Sequence, residues 1–380
     1  MDAPEYTGLL AALRGVPDPR RARGRRHAWP LILTVLAAAL PSGQRSVRAI
    51  GQRADERREE VVALLQPPGG RLPSASTLRR ALRAVDVAAL ERQVARFGRG
   101  LPRPASATPW AGQAVDGKAV RGAAAHGAPV YLVSRVRHGD GVALGQVRVA
   151  AKSNEITAAP RLLAGQDLAG VAITMDGPLA QRGLAAQIRR QRGHYLLVAK
   201  RNQPTLYAAI AELFACPPPP VPGDALATAA TIDKGHGRRE TQPLARSAAL
   251  NAELDWPDVG QVLRRTTRAV LLGTGKVRQE VCYALTSLTP RQATAAHLEA
   301  LWRGHWTIEN RVHYVRDVTF GEDAGQQRTG NTPQALAALR NGLLAPVRRA
   351  GWASVADALR HDGADAPRAL RALGALPPGL

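Results

Sequence analysis

The fold of this chain is best predicted from one stretch, Ala114-Val115-Asp116-Gly117-Lys118-Ala119-Val120-Arg121-Gly122. A short apolar run is followed by Asp116, where we expect a strand to end, and then by glycine and two basic residues. An acid at the tip of a strand, with a base beside it, is suited to holding a divalent metal ion next to a phosphate. A surface turn uses the same residue types, so the stretch alone leaves both interpretations open.

Composition predicts a folded protein with an anionic partner. The 380 residues are enough for two or three domains, and the 45% hydrophobic content is that of a globular chain. The net charge is +22, from 52 Lys and Arg against 30 Asp and Glu. Such an excess favours binding to nucleic acid or to an anionic membrane surface. Most of the basic residues are arginines, which a GC-rich genome also favours without any functional cause.

The cysteines and the apolar runs exclude several further classes of protein. Cys216 and Cys282 are far apart and lack Cys-x-x-Cys spacing, which excludes a zinc ribbon and a disulfide scaffold and fits a reducing cytosol. The longest apolar run, 29–40, is too short to cross a bilayer. We therefore expect a buried helix there, no membrane association, and a location in the cytosol.

Residues 1–100 are predicted to form a basic, helical N-terminal domain. Pro30 suits the first turn of a helix, and Ser74 suits the N-cap of a later one. Further helices are predicted over 46–65 and 86–97, the second with one apolar face. Short helices with outward arginines are typical of DNA-backbone binding, and a solvated helical domain is the alternative.

Residues 109–216 are predicted to form strands and helices in an α/β arrangement. Two β-branched runs, 130–136 and 142–149, are joined by His138-Gly139-Asp140-Gly141, and Asp-Gly favours a tight hairpin turn. With the strand that carries Asp116, they make three consecutive strands.

Two more strands follow, each after a predicted helix. Strand 171–175 stops at Asp176, and strand 194–199 comes last. In a ribonuclease H-like fold with this order of elements, the first and fourth strands are neighbours and carry the metal-binding carboxylates. The sequence therefore predicts an α/β, ribonuclease H-like catalytic core in which Asp116 and Asp176 meet.

Residues 217–288 are predicted to be a β-rich insertion in this core. A proline-rich segment opens the insertion, and strand-like runs follow it. Lys234, His236, Arg238 and Arg239 cluster before one of these runs. We interpret the cluster as a basic, DNA-binding loop, and a solvated loop is the alternative.

Residues 289–350 are predicted to be helical and to complete the catalytic core, with a tail over 351–380. Helical spacing places Glu309 on one side with His305 and His313. Their spacing is not the His-Glu-x-x-His pattern of zinc enzymes. We therefore interpret Glu309 as a third metal-binding carboxylate, and an ordinary ion pair is the alternative.

Linked motifs make the chain resemble one known family, the ISAs1 insertion-sequence transposases, which are relatives of the H-repeat proteins in the IS4-like group. The motifs are Val115-Asp116-Gly117-Lys118 with Arg121-Gly122, Lys152-Ser153-Asn154-Glu155-Ile156, Gly193-His194-Tyr195-Leu196-Leu197 with Asn202-Gln203-Pro204, His236-Gly237-Arg238 with Glu240, Arg303-Gly304-His305-Trp306 with Ile308-Glu309-Asn310, and Asp317-Val318-Thr319-Phe320 with Glu322-Asp323. Pro17-Asp18-Pro19-Arg20 is similar to the family's associated N-terminal domain.

The resemblance implies a DDE transposase with a ribonuclease H-like core. Asp116, Asp176 and Glu309 take the positions of the three catalytic, metal-binding acids. Two Mg²⁺ or Mn²⁺ ions, about 4 Å apart, serve such enzymes in an in-line displacement at phosphorus.

The chain also departs from the family pattern. The Tyr, Arg, Glu and Lys of IS4 relatives fall on Trp302, His305, Glu309 and Arg316, so only the glutamate is identical. The family's histidine after Asp176 is missing. A second class of function therefore stays open, a decayed or domesticated DNA-binding protein without catalysis.

The implied partner is double-stranded DNA, both the terminal inverted repeats and the target, bound by a homodimer in the synaptic complex. The side chains predicted to contact DNA are basic or are histidines: Lys118, Arg121, His236, Arg238, Arg303, His305 and Arg316.

Overall fold

A computed structural model describes residues 8–125, 128–150, 153–217, 227–235 and 237–374. The described residues form two compact units. The first unit draws on Met1–Pro104, Gly117–Ser153 and Thr307–Leu380, and the second on Ala105–Asp116 and Asn154–Trp306. The strand that carries Asp116 is therefore divided between the units.

Helices open the first unit, as predicted. They are α1 (Leu9–Leu13), α2 (Trp29–Ala39), α3 (Val47–Glu56), α4 (Arg58–Leu65), α5 (Ala75–Ala84) and α6 (Val87–Gly100), with 3₁₀ turns at Ala22–Gly24 and Pro68–Gly70. Ser46, Ser74 and Asp86 cap α3, α5 and α6 by accepting hydrogen bonds from backbone N–H groups. The single helix predicted over 46–65 is wrong, because Arg57 leaves the helical conformation and separates α3 from α4.

Three strands follow in the chain, β1 (Ala111–Ala125), β2 (Ala128–Arg137) and β3 (Ala143–Arg148), in the spatial order β3-β2-β1. Antiparallel pairing of β2 with β3 confirms the predicted hairpin. Gly122 on β1 lies against the backbone of the first unit, and a Cβ there would overlap the carbonyl oxygens of Glu322 and Gly325. No larger residue fits this close approach.

The second unit alternates helices and strands as far as α9, and four consecutive strands and a helix follow. Its elements are α7 (Glu155–Leu163), β4 (Val171–Met175), a 3₁₀ turn (Gly177–Leu179), α8 (Arg182–Arg190), β5 (His194–Ala199), α9 (Pro204–Ala215), β6 (Ala227–Gly235), β7 (Arg238–Ser247), β8 (Gln261–Leu271), β9 (Val277–Thr286) and α10 (Ala295–Gly304). Every residue of β4 and β5 is buried. Uninterrupted burial is what a parallel strand covered on both faces requires.

Strands of the second unit lie in the order β1-β4-β5-β9-β8-β7-β6. Strands β1, β4 and β5 are parallel, which confirms that the first and fourth strands are neighbours. Strand β9 pairs with β5 in the antiparallel sense, so the strands of the predicted insertion continue the same sheet. Leu244, Leu263, Leu298 and Trp302 belong to the apolar cluster between this sheet and α10.

The first unit resumes after α10 with two π-helical segments, Glu309–His313 and Val315–Thr319, and with α11 (Thr332–Arg349), α12 (Val355–Asp362) and α13 (Ala366–Ala372). Helix α11 contributes Ala337 to an apolar cluster with Val120 and Leu132. Both units therefore have their own hydrophobic cores.

Candidate functional site

Asp116 and Asp176 lie side by side where the parallel pairing of β1 with β4 ends. The prediction that a strand ends at Asp116 is wrong, because β1 continues to Ala125. Val115 on β1 is the register partner of Met175 on β4, and the two aspartates are the next residues on their strands. Adjacent strands are about 4.8 Å apart, and register partners point to the same face of the sheet. Both aspartates are half-buried. The second unit therefore presents two carboxylates together at one edge.

Two neighbours hold the Asp176 carboxylate. The backbone N–H of Gly177 donates to Oδ1 over 2.7 Å, and the Nζ atom of Lys200 lies 2.5 Å from Oδ2. Lys200 follows β5, and its side-chain stem packs against Gly177. The Asp176 carboxylate is therefore paired with a cation of the protein itself.

Sequence reasoning missed Lys200, although a usable signal exists. It is the first residue after β5, just as Asp176 is the first after β4. Carboxyl ends of parallel strands meet at one edge of a sheet, so a polar residue at each end is a candidate for the same site.

His305 is buried behind the aspartates. Its Nδ1 atom lies 3.1 Å from Oγ1 of Thr174, which points to the same face of β4 as Asp176 because the two are two residues apart. Burial lowers the pKa of His305 to about 4, although the charge of Asp176 opposes the shift. The imidazole is therefore neutral at physiological pH. Among the described residues, its Nε2 atom has no hydrogen-bond partner.

The tryptophans near the end of α10 differ in exposure. Trp302 is 2% exposed and packs in the core, and the Arg265 guanidinium stacks 4.4 Å from its ring centre. Trp306 is 46% exposed. Burial lowers the pKa of Arg265 and raises the pKa of the nearby Glu299 carboxyl, so both groups lose part of their hydration here.

Glu309 belongs to the first unit, whereas both aspartates belong to the second. The regular helix predicted through 301–317 is wrong, because α10 ends at Gly304 and π-helical turns follow. Glu309 begins the first of these turns and is exposed. Convergence of Glu309 with the two aspartates stays a prediction.

Two of the residues predicted to contact DNA are buried in the first unit. Lys118 is 7% exposed, and its ammonium group pairs with Asp317. Arg316 is fully buried, and its guanidinium donates to Glu322 over 2.6 Å. In this arrangement both cations pair with carboxylates of the protein itself and are shielded from solvent.

His305, also predicted to contact DNA, is buried in the second unit. The other predicted DNA contacts differ in how freely they can reach a partner. Arg303 pairs with Asp233, and Arg238 pairs with Glu240 over 2.6 Å. Arg121 is exposed, and no carboxylate of the described chain pairs with its guanidinium. His236 lies outside the described residues.

The two aspartates suit a divalent metal ion, because carboxylate oxygens are the ligands that Mg²⁺ and Mn²⁺ prefer. The Asp176 carboxylate is already paired with Lys200, so a metal ion would compete with that ammonium group. Within the described part of the chain, no group of three or more His, Cys, Asp or Glu side chains is placed to hold a metal. A complete metal site would therefore need a further ligand beside the pair.

Two sequence families match the chain. Residues 10–97 match the DDE_Tnp_1-associated family, and residues 108–344 match the Transposase DDE domain family. The chain belongs to the Transposase DDE domain family. This DDE-domain assignment covers the stretch around Asp116, the region of Asp176 and the segment that contains Glu309.

Named relatives of this DDE-domain chain carry transposase names. "Putative transposase YncI" of Escherichia coli O157:H7 is 29% identical, over 90% of this chain and 87% of the relative. "H repeat-associated putative transposase YhhI" of Escherichia coli (strain K12) is 27% identical, over 60% of this chain and 61% of the relative. A solved piggyBac transposase synaptic complex with hairpin DNA overlaps 99% of this chain and 78% of that one, with 9% identity and a TM-score of 0.41, which is too low to support any conclusion.

Over the described residues, every helix falls short of the length and apolar character that a membrane span needs.

Proposed function

We propose that this DDE-domain protein is a transposase of the ISAs1 type that cuts DNA at the ends of its element and joins those ends to target DNA. The observation that carries the proposal is the placement of Asp116 beside Asp176 where the parallel pairing of β1 with β4 ends. Family membership and the transposase-named relatives support the same reaction class.

Asp116, Asp176 and Glu309 are the proposed catalytic acids and metal ligands. Two Mg²⁺ or Mn²⁺ ions, when bound, would supply activation of the attacking oxygen and stabilisation of the leaving oxygen. The two aspartates contribute concentrated negative charge on one face of the sheet, and Lys200 and the Gly177 N–H fix the orientation of Asp176. His305, neutral and bonded to Thr174, braces the end of β4 that carries Asp176.

Two features support convergence of the third acid on this pair. His305 ties the end of α10 to β4, and Glu309 follows His305 by four residues. The strand order β3-β2-β1-β4-β5, with β1, β4 and β5 parallel, is the order expected of a ribonuclease H-like core. We propose such a core over 109–216 and 289–350.

The remaining assignments belong to the same proposal. Residues 1–100 would bind DNA through a basic helical domain, 217–288 would form the β-rich insertion, and 351–380 would form a tail. The partners would be terminal inverted repeats and target DNA, held by a homodimer in the bacterial nucleoid. Net charge of +22 supports a polyanionic partner. Among the phosphate contacts predicted from the sequence in the first unit, Arg121 is the one that is exposed and can reach DNA.

Cleavage of DNA that carries the element's own ends tests the proposal. Asp116→Asn, Asp176→Asn and Glu309→Gln should each abolish Mg²⁺-dependent cleavage and leave DNA affinity within about twofold, because removing one carboxylate removes the metal rather than the basic surface. Asp167→Asn is the matched control. Asp167 is an exposed aspartate of the second unit that pairs with Arg192 and precedes β4, at the opposite end of that strand from Asp176.

Cleavage that survives any one of the three acid substitutions contradicts the assignment of that acid. A wild-type protein that binds these ends and never cuts them, in Mg²⁺ or in Mn²⁺, would instead support the non-catalytic DNA-binding alternative.

A further inference from the structure

The sheet formed by β6, β7, β8 and β9 has two faces, and the strand register fixes which residues share each face. Directly paired residues of an antiparallel sheet point the same way, and the direction alternates along each strand. Asp233, Glu240, Ala269 and Arg278 are register partners and form one row. Ile232, Thr241, Arg268 and Gln279 form the next row and point the opposite way.

The first of these faces, here the α10 face, is covered by α10. The Arg265 guanidinium stacks on Trp302, and Arg303 of α10 pairs with Asp233 and donates to Thr231 over 3.1 Å. Contact with α10 therefore extends as far as the Asp233 row. Charges on this face are mixed: Asp233, Glu240 and Glu280 lie among Arg238, Lys276 and Arg278.

The opposite face, here the α9 face, is covered by α9 only at its base. Phe214 of α9 stacks on Tyr283, and the Arg264 guanidinium lies 5.1 Å from the Phe214 ring centre. Beyond the row of Arg264 and Tyr283, no described element covers this face, and Ile232 and Val277 are 66% and 48% exposed. Two large aliphatic side chains therefore lie open to solvent.

The uncovered part of the α9 face carries only positive charge. Lys234 pairs in register with Arg239, whose own partner on β8 is Val270. Arg268 lies two residues from Val270 on β8 and therefore points to the same face. All three are exposed, and among the described residues no carboxylate pairs with them. No acid occurs in the two rows that contain them. Cations left without counter-ions on an open face are complementary to a polyanion.

We propose that the distal part of the α9 face, formed by Lys234, Arg239, Arg268, Ile232 and Val277, binds the backbone of duplex DNA. The inference rests on the proposed function and specifies which side of the β-rich segment meets DNA. The three cations neutralise phosphates, and the aliphatic side chains pack against the uncharged deoxyribose between them. Arg238, predicted from sequence as a DNA contact, lies on the other face and is paired with Glu240.

Two matched double variants test the inference. Arg239→Ala with Arg268→Ala removes two cations from the α9 face, and Arg238→Ala with Arg278→Ala removes two from the α10 face of the same strands. Affinity of the full-length protein for a 30-base-pair duplex would be measured by fluorescence anisotropy at several salt concentrations. All four arginines are exposed, so both proteins should fold, and thermal unfolding checks this.

The α9-face variant should bind on the order of tenfold to a hundredfold more weakly at 0.1 M salt. Its plot of log K against log[salt] should become shallower by about 1.8, because each lost phosphate contact removes about 0.9 from the slope. The α10-face variant should keep the wild-type slope. Equal slopes for the wild type and the α9-face variant overturn the inference.

Other outcomes separate this inference from the proposed function. A wild-type protein that shows no salt-dependent DNA binding contradicts both. Normal DNA binding by the α9-face variant, together with a change in its oligomeric state by light scattering, overturns the DNA assignment and identifies the face as a contact between copies of the chain.

Discussion

The ammonium group of Lys200 lies 2.5 Å from one oxygen of Asp176, while the N–H of Gly177 lies 2.7 Å from the other. Both oxygens of a proposed metal ligand are therefore already engaged by the protein. Because Asp116 is on the neighbouring strand, the ammonium also offsets repulsion between two adjacent carboxylates. Lys200 acts as an internal counter-ion that a metal must compete with.

Lys200→Ala should strengthen the binding of Mn²⁺ to the protein. The side chain is half exposed, and ion pairs at such positions contribute about 0.2–1 kcal/mol, so the dissociation constant should fall by a factor of roughly 1.4 to 5. Isothermal titration calorimetry in the absence of DNA measures this dissociation constant for Mn²⁺. Lys200→Arg keeps the charge and should stay near the wild type, and an unchanged constant for the alanine variant would show that Lys200 does not compete.

Thr174→Val should destabilise the second unit with little change in side-chain volume. The substitution removes the hydroxyl that His305 bonds, and a buried imidazole is left without a partner on either nitrogen. Loss of such a partner costs about 1–3 kcal/mol, measurable by urea unfolding. The exposed Thr205→Val is the control and should change stability by less than about 0.5 kcal/mol.

Stability should fall as pH is lowered from 6.5 toward 4, in part through His194. Burial, and then the charge of Arg189, lower the pKa of His194 to about 4 from the ordinary 6.5. Between these values the unfolded chain binds a proton that the folded chain does not, so folding is most favoured above pH 6.5. His194→Gln should shrink the difference in unfolding free energy between pH 7 and pH 5 by about 2 kcal/mol. An unaltered pH dependence would show that His194 is protonated in the folded state.

Glu322→Gln should be among the most destabilising single substitutions in the first unit. Glu322 is 2% exposed and accepts hydrogen bonds from Arg316 and Arg340, which are also buried. Burial opposes ionisation of Glu322, but the two guanidinium groups hold its pKa below the usual value. Removing its charge leaves two buried cations unpaired, at a cost of about 3–5 kcal/mol in thermal or urea unfolding.

The exposed Glu253→Gln serves as the control for that change, with an expected effect below about 0.5 kcal/mol. A small effect of Glu322→Gln would mean that water reaches the Arg316 and Arg340 guanidinium groups in solution.

Much of the fold was predictable because local signals agree with the tertiary structure. The order of strand-like and helical runs from Val130 to Ala199 predicted strands β2 to β5. It also predicted that β1 and β4 are adjacent in the sheet. Strand β6 was missed, because Ala227-Thr228-Ala229-Ala230 has little of the β-branched and aromatic content that marks a strand. Pairing with β7 along its whole length compensates for that weak propensity.

The candidate site was predictable only in part, because burial and pairing are tertiary properties. Asp116 and Asp176 were found because each follows a short apolar run, but only Asp176 follows the end of its strand, since β1 continues past Asp116 to Ala125. Lys118 and Arg316 were chosen as cations near an acid, but periodicity does not reveal that Asp317 and Glu322 fold back onto them. The π-helical turns after Gly304 also escaped prediction, since helical spacing assumes the regular α-helical repeat.

Pairing of β5 with β9 has a consequence for any attempt to trim this protein. Excising residues 227–286 as if they were an appendage would strip β5 of the partner that now satisfies its backbone from Leu196 to Ala199. The shortened chain would expose an apolar strand with free N–H and C=O groups, a known route to edge-to-edge aggregation. A minimal version of the protein would have to keep β9 or supply a substitute strand in its place.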